Sequence, residues 1–285
     1  MKAIECKNIL KKFGDKKALE DVSLSLQGGR IYALIGRNGA GKTTLMNCMC
    51  TKYLPDSGEV ELLGERAYEN EKVLSEICFL SDYMDVFELH SVKHLLRYAG
   101  RFYSGWNTEK MKEMLEHFEI KEETMYSALS KGQQTADSII IGICSGCKIV
   151  LFDEIYSGLD AVARKELYEM LMEEQEDTGR TFVLSTHLIE EMAGLFTDVI
   201  MLHRGKILLE EDMESIHEKS FKCMGRVEDL QYFKGKNLIS QKKMGTLCEY
   251  YLYDTLNLQE RQKLADAGIQ ISAMTLQELF IAFCR

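Results

Sequence analysis

The sequence predicts an α/β protein: a parallel-sheet core with an antiparallel β part before it, a helical insertion within it and a small α+β extension after it. Three observations predict this. A short apolar run (IYALI, residues 31–35) is broken by a glycine-rich stretch and followed by residues at helical spacing (TTLMNCMC), and strand, loop and helix in that order form half of a βαβ unit. Two further β-type runs, KIVLFDE and TFVLSTH, flank a helix-like stretch, ARKELYEMLMEEQED. Between the glycine loop and these runs, residues 91–144 are almost wholly helical in pattern: SVKHLLRYAGRFY and TEKMKEMLEHFEI place apolar residues at i, i+3, i+4 and i+7.

The remaining elements follow in order. Residues 1–35 alternate β-type runs with turns: AIECKNILKKF, then Gly14-Asp15, then DVSLSLQGG, which reads as an antiparallel start leading into the buried strand. Pro55-Asp56-Ser57-Gly58 marks a turn. After about residue 220 the chain has a strand-like run (LCEYYLYD) and a closing helix-like segment (LQELFIAFCR). One domain is therefore expected over 1–219, with its helical part at about 83–147, and an extension over 220–285.

The 285 residues carry 35 Lys and Arg against 45 Asp and Glu, a net charge of −10, with 46% hydrophobic and 28% charged residues. This is globular composition. The acidic balance argues against nucleic acid as the main partner, because phosphate contacts need a basic face. The longest apolar stretch, residues 138–152, is too short and too polar to span about 30 Å of hydrocarbon. The first ten residues carry no signal-peptide core, so a soluble, cytoplasmic chain is expected. Nine cysteines are scattered along it. The one C-x-x-C pair, Cys144 and Cys147, lies in an apolar run without a second pair to complete four zinc ligands, and reads as packed thiols.

The chemistry begins at Gly36-Arg37-Asn38-Gly39-Ala40-Gly41-Lys42-Thr43, which fits G-x-x-x-x-G-K-[ST] at every fixed position. The glycines let backbone N–H groups curl round phosphates, and the helix start adds partial positive charge. Lys42 is placed to reach β- and γ-phosphates, and the Thr43 hydroxyl to bind Mg²⁺. The strand at residues 149–152 ends in Asp153 and Glu154, in the crevice where open α/β sheets bind ligands. There Asp153 completes a Mg²⁺ shell and Glu154 orients or deprotonates a water. A strand ending in acids is by itself more often a solvated strand end; the phosphate loop upstream changes that reading.

Leu129-Ser130-Lys131-Gly132-Gln133 resembles the LSGGQ signature of ATP-binding cassette (ABC) ATPases, with Lys in the third place, and it comes shortly before the Asp153-Glu154 strand as in that family. Ser157-Gly158-Leu159-Asp160 resembles the loop that follows, Ser185-Thr186-His187 the strand end with the switch histidine, and Phe13 falls where the family stacks an aromatic on adenine. The resemblance covers residues 1 to about 215. It implies a RecA-like P-loop NTPase core, so that 1–219 is an ABC nucleotide-binding domain, and it implies His187 as γ-phosphate sensor. Ser130 and Gly132 are expected to precede an apolar helix, forming an anion site that closes over nucleotide on the opposite subunit; a plain helix cap is the simpler reading of Ser130 alone. One motif departs: where the family has glutamine at a strand end, this chain has Asp82, which accepts a water or coordinates Mg²⁺ but donates nothing when ionised.

The resemblance therefore implies an ATPase subunit of an ABC transporter, with ATP and Mg²⁺ as cofactors. It would work as a dimer, by preference of two identical chains, on a separate transmembrane permease at the cytoplasmic face of the membrane. Two ATP molecules would lie between Gly36–Thr44 of one subunit and Ser130–Gln133 of the other, with Asp160 nearby. A soluble non-transport cassette and a non-hydrolysing regulatory cassette are the alternatives; Glu154 and His187 argue against the second. The short cassette with its small extension resembles exporters of the bacitracin-resistance type, so export of peptides or antimicrobials is the expected task. The extension stabilises the dimer or is inert.

Overall fold

The computed structural model describes residues 1–81, 89–156 and 159–285. These fall into two compact units: 1–187 with 195–207, and 188–194 with 208–285.

The first unit opens with β1 (Lys2–Phe13) and β2 (Lys16–Gln27), joined at Gly14-Asp15. They pair antiparallel, and with β3 (Ile31–Ile35), α1 (Lys42–Met49), β4 (Ser57–Leu62) and β5 (Glu65–Arg66) following in the chain, the first sheet has the order β2-β1-β4-β5. The buried side chains Ile4, Cys6 and Ile9 of β1 break a strict alternation. Asn8 explains this: it sits at φ 51°, and the pairing shifts register between Cys6 and Ile9, so one extra residue moves Ile9 back to the core face.

The short helix α2 (Glu71–Leu74) leads to β6 (Ile77–Ser81). The helical insertion comprises α3 (Val92–Phe102), α4 (Thr108–His117) and α5 (Lys131–Cys144), and α5 packs on the other two. The chain then enters β7 (Ile149–Asp153), α6 (Ala161–Thr178) and β8 (Thr181–Thr186), and after α7 (Ile189–Met192) it returns in β9 (Asp198–His203). The expected apolar stretch 138–152 is thus divided between the end of α5 and β7.

In the second sheet β9, β3, β8, β7 and β6 lie side by side and pair in parallel. Every residue of β3, β7 and β8 is buried, as strands covered on both faces must be. Parallel pairing has one consequence for function. The carboxyl ends of β3, β6, β7 and β8, and with them Gly36, Ser81, Asp153 and Thr186, all arrive at the same edge.

β10 (Lys206–Asp212) carries the chain into the second unit, where α8 (Met213–Lys219) is capped by Asp212. Then come β11 (Ser220–Arg226), β12 (Leu238–Met244), β13 (Leu247–Tyr253), α9 (Leu258–Asp266), β14 (Gln270–Ala273) and α10 (Leu276–Phe283). The antiparallel sheet order β12-β13-β11-β14 surrounds a core of Phe221, Cys223, Phe233, Cys248, Tyr250 and Leu252. Residues 188–194 and 208–285 make up this unit, so α7 and α8 belong to it. Among the described residues no helix is long and apolar enough to cross a membrane.

Candidate active site

The loop between β3 and α1 has to turn sharply against β2. Gly41 makes this turn at φ 111°, where a Cβ would lie 2.7 Å from the Ala18 carbonyl oxygen. Only glycine fits there. It begins α1 without offering a side-chain cap, so the first amides of that helix face the cleft with the partial positive charge of a helix start.

The cleft measures about 510 Å³ and is lined by Phe13, Lys16, Ala18, Asn38, Gly39, Gly41, Lys42, Thr43, Thr44, Ser81, Asp153 and Glu154. Nine of the expected site residues meet here: Phe13, Asn38, Gly39, Gly41, Lys42, Thr43, Thr44, Asp153 and Glu154. Gly36, Arg37, Ala40 and His187 do not line it. Gly36 contributes its carbonyl, which accepts a hydrogen bond from Lys42 Nζ at 2.9 Å; Ala40 is buried and Arg37 exposed. Phe13 stands half-exposed at the end of β1, edge-on to Tyr53 with ring centroids 5.6 Å apart.

At the ends of β7 and β8 the acids are held by a residue that motif reading passed over. Ser185 Oγ donates to Asp153 Oδ1 at 2.5 Å and accepts from the Glu154 backbone N–H at 3.0 Å. Glu154 itself adopts φ 53°, a left-handed conformation that costs a non-glycine residue about 1–3 kcal/mol and persists only where its surroundings enforce it. Its carboxylate lies 2.9 Å from Lys42 Nζ and 3.5 Å from His187 Nδ1. Lys42, Glu154 and His187 thus form a line of alternating charge once the imidazole is protonated. Ser185 was visible in the sequence beside His187, but its role depends on β7 and β8 being neighbours, which no local motif states.

The donors present suit Mg²⁺. Thr43 and Asp153 bring a hydroxyl and a carboxylate to one cleft, and the Ser185 bond to Oδ1 leaves Asp153 Oδ2 outside that interaction. Asp82, the third expected ligand, lies outside the described residues, as do Ser157 and Gly158.

The signature residues form a second opening. Ser130, Lys131, Gly132 and Gln133 line a groove of about 470 Å³ with Phe118, Ala136, Leu159, Asp160 and Ala163. Here the structure corrects an expectation: Gly132 does not precede the helix but lies inside its first turn, because α5 already begins at Lys131. Ser130 is the cap. Its Oγ accepts from Gln133 N–H, and Gln133 Oε1 accepts from Ser130 N–H, both at 3.2 Å. Two amides of that turn, on Lys131 and Gly132, have no partner within an α-helix and face the groove's end of α5. Asp160 caps α6, accepting from Val162 and Ala163 N–H at 3.0 and 2.9 Å. Both capping side chains and the start of α5 therefore share one groove.

The sequence model of the ABC transporter family matches residues 19–157. The ABC transporter ATP-binding protein MJ1023 of Methanocaldococcus jannaschii is 31% identical over 225 residues, covering 76% of this chain and 80% of the relative. The bacitracin transport ATP-binding protein BcrA of Enterococcus faecalis is 28% identical over 224 residues, covering 77% and 72%. Among solved structures, the dimeric post-hydrolysis state of the ATP-binding cassette MJ0796, bound to ADP and phosphate, superposes with a TM-score of 0.64 at 23% identity, over 74% of this chain and 98% of that one. That likeness is one of fold.

Proposed function

This chain belongs to the family of ABC transporter ATP-binding proteins and is an ATPase with ATP and Mg²⁺ as its ligands, and from that premise we propose that it hydrolyses ATP as one half of a two-cassette engine on a separate membrane permease. The observation that carries the proposal is the separation of the two openings. Among the described residues, none that lines the phosphate cleft also lines the groove of Ser130 and Asp160. A second cassette, a copy of this chain, brings its signature groove to the ATP held in the first cleft, and the relation is reciprocal.

In that arrangement residues 36–44 wrap the phosphates with backbone N–H groups, and Lys42 neutralises charge on the β- and γ-phosphates. Bound Mg²⁺, held by Thr43 and Asp153, would neutralise the rest. Glu154 takes a proton from the attacking water, and His187 donates to the γ-phosphate from the neighbouring strand end. Phosphoryl transfer needs mainly positioning and charge neutralisation, which the rigid ends of β7 and β8 supply.

The docking surface for the permease is the apolar groove of about 480 Å³ formed by Leu80, Leu95, Tyr98, Ala99, Phe102 and Tyr103, with Arg101 and Ile141. Phe102 is 79% exposed on α3, and Leu89, 87% exposed, precedes that helix. The groove joins the end of β6, at the nucleotide edge, to the helical insertion, so a shift there reaches the permease. The likeness to a bacitracin transport protein supports export of peptides or antimicrobials as the task. The chain then sits peripherally on the cytoplasmic face of the membrane.

The test is isolation of the chain with its membrane partner, reconstitution in vesicles and measurement of cargo-stimulated ATP hydrolysis. A cysteine at Leu89 is expected to crosslink to a cytoplasmic loop of the permease. Hydrolysis by the reconstituted complex that does not respond to cargo, or crosslinks from the 208–285 unit alone, would overturn the arrangement.

A further inference from the structure

Arg180 lies between α6 and β8 and is only 6% exposed, yet all five of its N–H donors are engaged. Nε donates to the Cys147 carbonyl at 2.6 Å. Nη1 donates to the Ile143 carbonyl at 2.6 Å and to Glu174 Oε1 at 3.0 Å, and Nη2 to the Gly142 carbonyl at 2.8 Å and Ser145 Oγ at 3.1 Å. The guanidinium also stands 5.5 Å from the Phe182 ring centroid. Gly142 and Ile143 carry terminal carbonyls of α5, which have no partner within the helix, and a cation there complements the helix dipole. Glu174 belongs to the last turns of α6.

Arg180 therefore ties together the C-terminal ends of two helices whose N-terminal ends, at Ser130 and Asp160, line one groove. Counting at 1.5 Å per residue, Lys131 lies about 17 Å along α5 from Gly142, and Ala161 about 20 Å along α6 from Glu174. A tilt of a few degrees at the clamp moves the signature by about 1 Å, and a displacement of that size can cost about a hundredfold in rate. The planar fork suits this task, since a lysine in its place cannot serve five acceptors.

We propose that Arg180 is a positioning residue: it locks the C-terminal ends of α5 and α6 together so that Ser130 and Asp160 meet the partner subunit's nucleotide in register. The inference rests on the two-cassette reading above. It assigns the effect of Arg180 to the groove side of the composite site and not to the chain's own phosphate cleft.

Mixing experiments separate these sides. Lys42→Ala disables the phosphate loop and Ser130→Phe the signature groove; each alone is nearly inactive. In a 1:1 mixture of the two, mixed dimers contain one site with both halves intact, so hydrolysis rises several-fold above either variant. Arg180→Met is expected to behave as a groove variant: turnover falls about a hundredfold while binding of a fluorescent ATP analogue to its own cleft is retained. Activity returns on mixing with Lys42→Ala, and no activity returns on mixing with Ser130→Phe. The reverse pattern, or rescue by neither, overturns the inference. If Lys42→Ala and Ser130→Phe fail to rescue each other, the two-cassette reading falls, and this inference with it. Arg180→Lys, which keeps the buried charge, carries the same mixing test if the methionine variant does not fold.

Discussion

Lys42 Nζ and Glu154 Oε1 are 2.9 Å apart, joining the phosphate loop to the end of β7 through a lysine that is only 4% exposed. Because Lys42 also donates to the Gly36 carbonyl, the loop, the cation and the proposed base form one connected unit. The two residues nevertheless have separable tasks. Glu154→Gln keeps the size and removes the base, so Mg·ATP binding is expected to persist while turnover falls at least about a hundredfold. Lys42→Ala is expected to weaken binding as well as turnover, because it removes the charge that faces the phosphates. Steady-state hydrolysis together with equilibrium ATP binding checks both; turnover near the parent's in Glu154→Gln would remove Glu154 from the role of base.

Ser185 offers a test of preorganisation. Ser185→Ala removes both the donor to Asp153 Oδ1 and the acceptor for the Glu154 N–H, leaving the buried carboxylate oxygen without that bond at about 1–3 kcal/mol and the half-buried N–H at less. Turnover is expected to fall by about ten- to a hundredfold, with the Mg²⁺ concentration for half-maximal hydrolysis rising, since Asp153 is no longer held. An unchanged Mg²⁺ dependence would show that Ser185 packs without positioning.

Asp137 sits in the middle of α5 with no exposed surface, and neither carboxylate oxygen has a hydrogen-bond partner among the described residues. Burial pushes its carboxyl from the ordinary 3.8 up to about 7. The folded chain therefore holds this proton more tightly than the unfolded chain, so this group's contribution to stability falls as pH rises from about 4 to about 7 and then levels off. The full penalty is about 4 kcal/mol. Asp137→Leu is expected to raise the urea midpoint at pH 8 and to raise it much less at pH 5. An equal gain at both values would mean that packing and not ionisation sets the effect.

Gly41→Ala brings a Cβ within 2.7 Å of a backbone oxygen at a φ of 111°. The loop has to move, and with it the amides that face the phosphates. Nucleotide affinity is expected to drop at least about tenfold, by roughly the 1.4 kcal/mol that a modest backbone shift removes. Calorimetric titration with ATP measures it, and affinity within a factor of two of the parent would place the phosphates elsewhere.

What the amino-acid sequence determines here is local. Gly36 to Thr43 specifies a phosphate loop because its glycines, its lysine and its hydroxyl act within one turn of chain, and the apolar runs of β3, β7 and β8 announce buried parallel strands by themselves. The order of the motifs also carried the family, and so the fold and the ATPase activity. The bulge at Asn8 and the true start of α5 at Lys131 were less legible, since a shift of one residue changes no composition. Tertiary structure alone decided the rest. That Ser185 holds Asp153 and Glu154 depends on β7 and β8 lying side by side, and that Lys42 meets Glu154 depends on the loop after β3 and the end of β7 reaching the same edge of the sheet. Arg180 reads in sequence as a charge beside a turn; only the fold brings it five acceptors from two separate stretches of chain, residues 142–147 and Glu174, because hydrogen bonds are satisfied in space and sequence separation leaves no periodic trace of them.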